Sequence, residues 1–161
     1  MGIRRARRAD LEGLLELHRA LDEHVTAASA RLWRAPLVDV AYYAERIADD
    51  DQRVIVADDG GPLIGYAVGR VGVRSAPPVV VGSIDHAYVV PDRRNRGVGR
   101  TLIRELMSFF DRRGALDLTL QVAAGNREGE RFWHSLGFEP MLIQANATPE
   151  AVRRALAREH D

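Results

Sequence analysis

The sequence predicts a mixed α/β domain whose central strands are covered by helices, and three observations carry that prediction. The first is size and composition: 161 residues, 46% hydrophobic and 29% charged, suit one soluble domain with a real core. The second is the order in which apolar periodicity changes along the chain, which reads βααβββαβαβ with a further helix at the end. The third is the stretch 83–107, where an apolar strand runs through Pro91 into a turn carrying Gly97 and Gly99 and then into an amphipathic helix.

Each element has its own signal. Residues 3–7 form a short charged strand suited to a sheet edge. Asp10 stands where it can cap or charge a helix whose face is Leu11, Leu14, Leu15, His18 and Leu21. His18 on that face reads as a histidine at the core margin rather than a ligand. The segment 25–38, with Leu32, Trp33 and Pro36, has weak periodicity and reads as a loop. A second helix is expected over 39–48, with Val40, Tyr43 and Ile47 on one side. Strands at 53–57 and 63–73 flank Asp58-Asp59-Gly60-Gly61-Pro62 and make an antiparallel hairpin. Past the turn at 75–78 comes the long strand 79–90, and Gly114 ends the helix that follows it. A strand is expected at 116–122, then a short helix from Asn126 that stops at Gly137. That helix runs into a strand starting at Phe138, another strand or extension follows to about Asn146, and Thr148-Pro149 caps a last helix over 150–158.

The glycine turn after Pro91 is the chemically informative point. Strand, glycine turn and helix start aim several backbone N–H groups and the positive end of a helix at one place, a geometry that binds phosphate. A Walker loop requires lysine, and the chain has none. A dinucleotide fingerprint requires a third glycine where Leu102 stands. Both readings fail.

Other classes are excluded by composition. The 23 basic residues, all arginine, balance 23 acidic ones, so no overall basic field recruits nucleic acid or membrane. With no cysteine there is no disulfide, thiolate metal site or cysteine nucleophile. The five histidines lack ligand spacing, so no metal is expected. No apolar stretch approaches a membrane span and no signal-like run opens the chain, which reads as cytoplasmic.

Two motifs then occur in order: Val89-x-Pro91 with Arg94-x-x-Gly97-x-Gly99, and Leu120-x-Val122 with Asn126-x-x-Gly129-x-x-Phe132-Trp133-x-x-x-Gly137-Phe138. Together they resemble the GCN5-related N-acetyltransferases over about residues 3–144, with the last helix, about 149–159, outside the likeness. The resemblance implies a single acyl-CoA N-acyltransferase domain over 1–161, with a mostly antiparallel central sheet flanked by helices. It implies acetyl-CoA as co-substrate. The backbone at Tyr88, Val89 and Val90 would pair with the pantetheine arm. Backbone amides from Arg94 through Asn95, Arg96, Gly97 and Val98 to Gly99 would cradle the pyrophosphate, with Arg100 and Thr101 assisting.

By the same resemblance Asn126 would hold the pantetheine or a contact beside it, a role compatible with capping a helix. The implied reaction is direct acetyl transfer to a primary amine of a small molecule or peptide, with a homodimer allowed by the family. An alkyl ammonium titrates near 10.4, so a base or water chain must take its proton. The family places a carboxylate on the central strand where Asp85 lies, and His86 is its neighbour. On a regular strand the two face opposite sides, so both serve only if a bulge intervenes. Trp133 occupies the position of the family's usual acidic tyrosine; an indole N–H is no acid at neutral pH, and packing on the cofactor arm is its expected role. That departure keeps a second reading open, a non-catalytic acyl-CoA sensor. The acceptor pocket is expected along the first helix–loop–helix segment, with Trp33, Tyr42 and Tyr43 as candidates or core.

Overall fold

The computed structural model describes residues 1–28, 38–75, 77–142, 145 and 147–157. Trp33 and residues 29–37 of the loop expected there, and the far end of the extension expected after Phe138, lie outside the described residues, while residues 25–28 of that expected loop are helical instead. The chain divides into two compact units, Met1–Arg127 and Glu128–Asp161.

The first unit is built on a five-stranded sheet in the order β1-β2-β3-β4-β5. Its strands are β1 (Gly2–Arg5), β2 (Gln52–Asp58), β3 (Leu63–Ser75), β4 (Pro78–Val89) and β5 (Asp117–Leu120). Pairing is antiparallel from β1 to β4, and β5 joins β4 in parallel. The charged first strand is indeed an edge. Helices α1 (Leu11–Ala28) and α2 (Val40–Ala48) precede β2, and α3 (Val98–Arg112) connects β4 to β5.

Local chemistry sets these boundaries. Asp39 accepts a hydrogen bond from the Tyr42 amide at 3.0 Å and caps α2. Asp10 receives two hydrogen bonds from the Arg4 guanidinium, at 2.8 and 2.9 Å, and one from the Arg7 amide at 2.7 Å, which ties β1 to the start of α1. The Arg4 partner holds the Asp10 carboxyl below its ordinary range. Gly114, at φ +70°, turns the chain out of α3 while the Ala115 amide bonds back to the Phe110 carbonyl.

The two sides of the sheet are packed differently. Helix α3 covers β2, β3 and β4 with Leu102, Ile103, Leu106, Phe109 and Phe110 buried. The fit is close: a Cβ on Gly69 would stand 2.7 Å from Phe110 Cζ, and one on Gly82 2.6 Å from Leu118 Cδ2. Against the opposite side lie α1 and α2, and there Leu14, Leu17, Val54, Val56 and Val68 share the core with Tyr43, Tyr66 and Tyr88.

The second unit holds most of α4 (Arg127–His134) and α5 (Pro149–Ala157). Thr148 Oγ1 accepts from the Ala151 amide at 3.1 Å, so the cap and the proline at the first turn act as expected. The strand expected from Phe138 does not form among residues 138–142. Gly137 is left-handed at φ +91°, the Phe138 amide bonds back to the Trp133 carbonyl at 3.1 Å, and Pro140 has no N–H for a ladder. The strand expected at 116–122 is likewise trimmed to β5.

Candidate active site

Helix α3 begins without a side-chain cap. Asn95 at φ +59° and Gly97 at φ +82° fold the turn so that Val98, buried, opens the helix directly. A first turn of helix always leaves N–H groups without intrahelical partners, and they carry the positive end of the helix dipole. Nothing lies within 4 Å of where a Cβ on Gly97 would sit, so a ligand has room against the main chain. Arg96 and Arg100 are exposed beside the turn. The Thr101 amide and hydroxyl both donate to the Gly97 carbonyl at 3.0 Å, which fixes the turn rather than reaching outward. Arg94 turns back: its Nε donates to the Val89 carbonyl at 2.9 Å and its guanidinium stands 5.4 Å from the Tyr88 ring centre. The open cradle, uncapped amides and flanking guanidinium groups fit a pyrophosphate.

The strand leading into this turn is only half paired. β5 meets β4 from Val81 to Ile84 and ends there, so beyond Ile84 the sheet is split on that side. The Val90 amide donates to the Ile64 carbonyl, which by alternation turns the main chain of Tyr88 and Val90 towards β3 and that of Val89 towards the split. Of the three, Val89 alone faces the split, with its carbonyl held by Arg94. The Tyr88 side chain is buried, 6.4 Å from the His24 ring.

A bulge does interrupt β4. Val68 pairs with His86 while Gly69 pairs with Ile84, leaving Asp85 as the extra residue. Both candidate side chains thereby leave the α3 side. Asp85 accepts from Arg70 Nε at 3.2 Å and from Ser83 Oγ at 3.0 Å. His86 Nε2 meets the Tyr42 hydroxyl at 2.7 Å, and its ring stands edge-on to His18 at 4.8 Å. Burial first, then His18 and the Arg46 charge, pulls His86 down to about 3. It is neutral at pH 7.

Behind this pair lies a polar aromatic cluster. His18, buried as its helical face predicts, has Nδ1 at 2.8 Å from the Tyr43 hydroxyl and 3.1 Å from the Tyr66 hydroxyl. Its Nε2 is 3.5 Å from Asp22. Burial lowers the His18 pKa against the pull of Asp22, so the neutral ring with its proton on Nε2 accepts at Nδ1 from the nearer hydroxyl, that of Tyr43, and faces the carboxylate. Burial likewise raises the Tyr42, Tyr43 and Tyr66 hydroxyls, which remain protonated donors.

Asn126 immediately precedes α4, with its amide donating to the Ala123 carbonyl at 3.0 Å. The chain there lies against the end of α1, since a Cβ on Gly125 would meet the Ala28 carbonyl oxygen at 2.7 Å. Trp133, in the second unit, packs edge-on between Phe132 at 4.9 Å and Phe138 at 5.6 Å. Sequence reasoning missed Tyr66, Arg46 and Arg70. Arg46 had a signal, since it follows Tyr42 by one helical turn and its guanidinium lies 3.3 Å from that ring's centre.

Residues 14–138 match the Acetyltransferase (GNAT) family, and the chain belongs to that family. The ribosomal protein bS18-alanine N-acetyltransferase of Escherichia coli is 26% identical over 117 residues, 68% of this chain and 79% of the relative. The L-amino acid N-acyltransferase MnaT of Escherichia coli is 27% identical over 143 residues, 86% of this chain and 79% of the relative. In fold, the crystal structure of a mutant of the BH1408 protein from Bacillus halodurans superposes with a TM-score of 0.83 at 21% identity, covering 92% of this chain and 99% of that one. The chain is thus an N-acetyltransferase by family, an enzyme class that moves an acetyl group to an amine, and the transferase is favoured over the sensor. Among the described residues no helix is long and apolar enough to cross a membrane and no group of side chains could hold a metal.

Proposed function

We propose that this protein transfers the acetyl group of acetyl-CoA directly to a primary amine of a small molecule or peptide, as a cytoplasmic enzyme that needs no metal. The observation that carries the proposal is the start of α3: uncapped, left-handed at Gly97, and reached from a strand whose bulge holds Asp85. When bound, acetyl-CoA supplies the activated acyl group. The main-chain amides of Val98, Gly99 and Arg100 hold its pyrophosphate, and the exposed guanidinium groups of Arg96 and Arg100 add charge. Val89 offers main-chain groups to the pantetheine arm from the split side of β4. Asn126 supports the same arm beside the end of α1.

Asp85 takes the proton of the acceptor amine through a water, because its carboxylate is already turned towards Arg70 and Ser83. His86, neutral and held by Tyr42, orients that water rather than storing the proton. The names of the relatives support both amine classes, a protein-borne alanine in one and free L-amino acids in the other. Gly97→Glu tests the reading directly. The added carboxylate meets the pyrophosphate with bulk and like charge, and acetyl-CoA affinity measured by calorimetry is expected to fall at least about a hundredfold. Unchanged affinity overturns the assignment of the turn.

A further inference from the structure

Beside His86 and Tyr42, Arg46 carries a charge with no ion-pair partner among the described residues. Arg46 stacks on Tyr42 with its Cζ 3.3 Å from the ring centre, and its terminal nitrogen donates to the Tyr42 carbonyl at 3.2 Å. Its Nε is buried without a hydrogen-bond partner. Among the described residues no carboxylate forms an ion pair with it: Asp85 is taken by Arg70, Asp10 and Asp58 by Arg4, and Asp22 lies against His18. The guanidinium is nonetheless close enough to act on the whole cluster, depressing His18 and His86.

A half-buried guanidinium among neutral tyrosines and histidines is costly, and the stack on Tyr42 offsets only part of that cost. A fixed fork of donors aimed into such a place matches a carboxylate. The position is also informative. Tyr42 carries Arg46 on its ring face and meets His86 at its hydroxyl, 2.7 Å away, so one tyrosine links the guanidinium to the bulge where the acceptor amine must lose its proton. An amino acid carries an amine and a carboxylate on one carbon, the two groups that the bulge and the guanidinium would each take.

We propose that Arg46 binds the carboxylate of the acceptor, and that the acceptor is a free α-amino acid or similar small amino-carboxylate rather than a polyamine, an aminoglycoside or a peptide terminus. This rests on the transferase reading and narrows it. A peptide N-terminus has an amide where the carboxylate would sit, and it leaves the guanidinium unpaired. A polyamine brings a second positive charge to the same place.

The experiment compares matched acceptors on the unmodified enzyme: the standard L-amino acids against their α-amides, with a polyamine, an aminoglycoside and short peptides alongside. Initial rates are read as thiol release from acetyl-CoA. The expected result is a kcat/KM for at least one free amino acid about a hundredfold above its amide. In Arg46→Gln that preference should vanish through a higher KM for the acid, with acetyl-CoA affinity unchanged, and Arg46→Lys should restore part of it. Equal or better use of amides, peptides or polyamines by the wild type overturns the proposal, as does a preference that survives Arg46→Gln. If acetyl-CoA binds but no acceptor turns over, calorimetry of the amino acids with the CoA-loaded protein decides, and absence of binding overturns it. Failure of acetyl-CoA itself to bind instead overturns the transferase reading on which this rests.

Discussion

The two faces of the sheet share the same strands and do different work. Towards α3 the strands present Gly69, Gly82, Ala67 and Ile84, none with a polar side chain to satisfy, to a wall of Leu106, Phe109 and Phe110. Towards α1 and α2 they present Tyr66, His86 and Tyr88, each with a polar atom or ring neighbour to accommodate. The first face gains stability from close packing. The second gives up part of that gain to hold hydroxyls, imidazoles and one guanidinium in fixed relation. Framework and chemistry are thus separated by a single layer of backbone.

That separation can be broken experimentally, beginning on the dry side. Phe110→Ala should cost about 3–5 kcal/mol in chemical denaturation while leaving turnover per folded molecule nearly unchanged, since it empties a packed wall on the face of the sheet opposite His86 and Tyr42. A large fall in kcat without a stability loss contradicts the division. Next in size, Asp85→Asn should lower kcat about a hundredfold at pH 7 and leave acetyl-CoA affinity intact. If its rate equals the wild type across pH, the carboxylate is structural.

A third effect is pH-dependent. His86 is held at about 3 against an ordinary 6.5, and His18 is lowered as well, so the unfolded chain binds protons that the folded one refuses. Stability should therefore decline as pH falls from about 6.5 towards 3, by at most about 1.4 kcal/mol per pH unit for each histidine. Asp10, lowered from 3.8 by Arg4, adds its own loss only in the more acidic range. His86→Gln should flatten the upper part of the curve, and an unchanged curve denies that this ring is buried neutral. The smallest effect is Tyr66→Phe, about 1 kcal/mol, from one hydroxyl removed from His18. Chemical denaturation of the variant checks this, and an unchanged midpoint shows that the hydroxyl contributes nothing to the cluster.

Much of the frame was legible because local chemistry and global position agree. The apolar spacing from Leu102 to Phe110, the caps at Asp39 and Thr148, the turn at Asp58-Asp59-Gly60 and the left-handed Gly97 each have a residue-level cause. The bulge at Asp85 has none. One extra residue in a strand changes which face a side chain takes, yet neither Asp85 nor Ser83 differs in type from residues of a regular strand. Tyr66 was hidden for a related reason, since its partner His18 lies 48 residues away and no local pattern links them. The strand expected at Phe138 shows the opposite error. A strand is expected directly after the helix, but Gly137 is left-handed and Pro140 has no N–H for a ladder.

The split between β4 and β5 has a consequence in the time domain. The amides of Tyr88 and Val90 point to β3 and exchange with solvent hydrogen only when the sheet opens, whereas those of Ala87 and Val89 point to the side where β5 has ended. Protection along the end of β4 should therefore alternate, slow and fast, residue by residue. A ligand laid along the split as an added strand would slow Ala87 and Val89 and leave their neighbours unchanged.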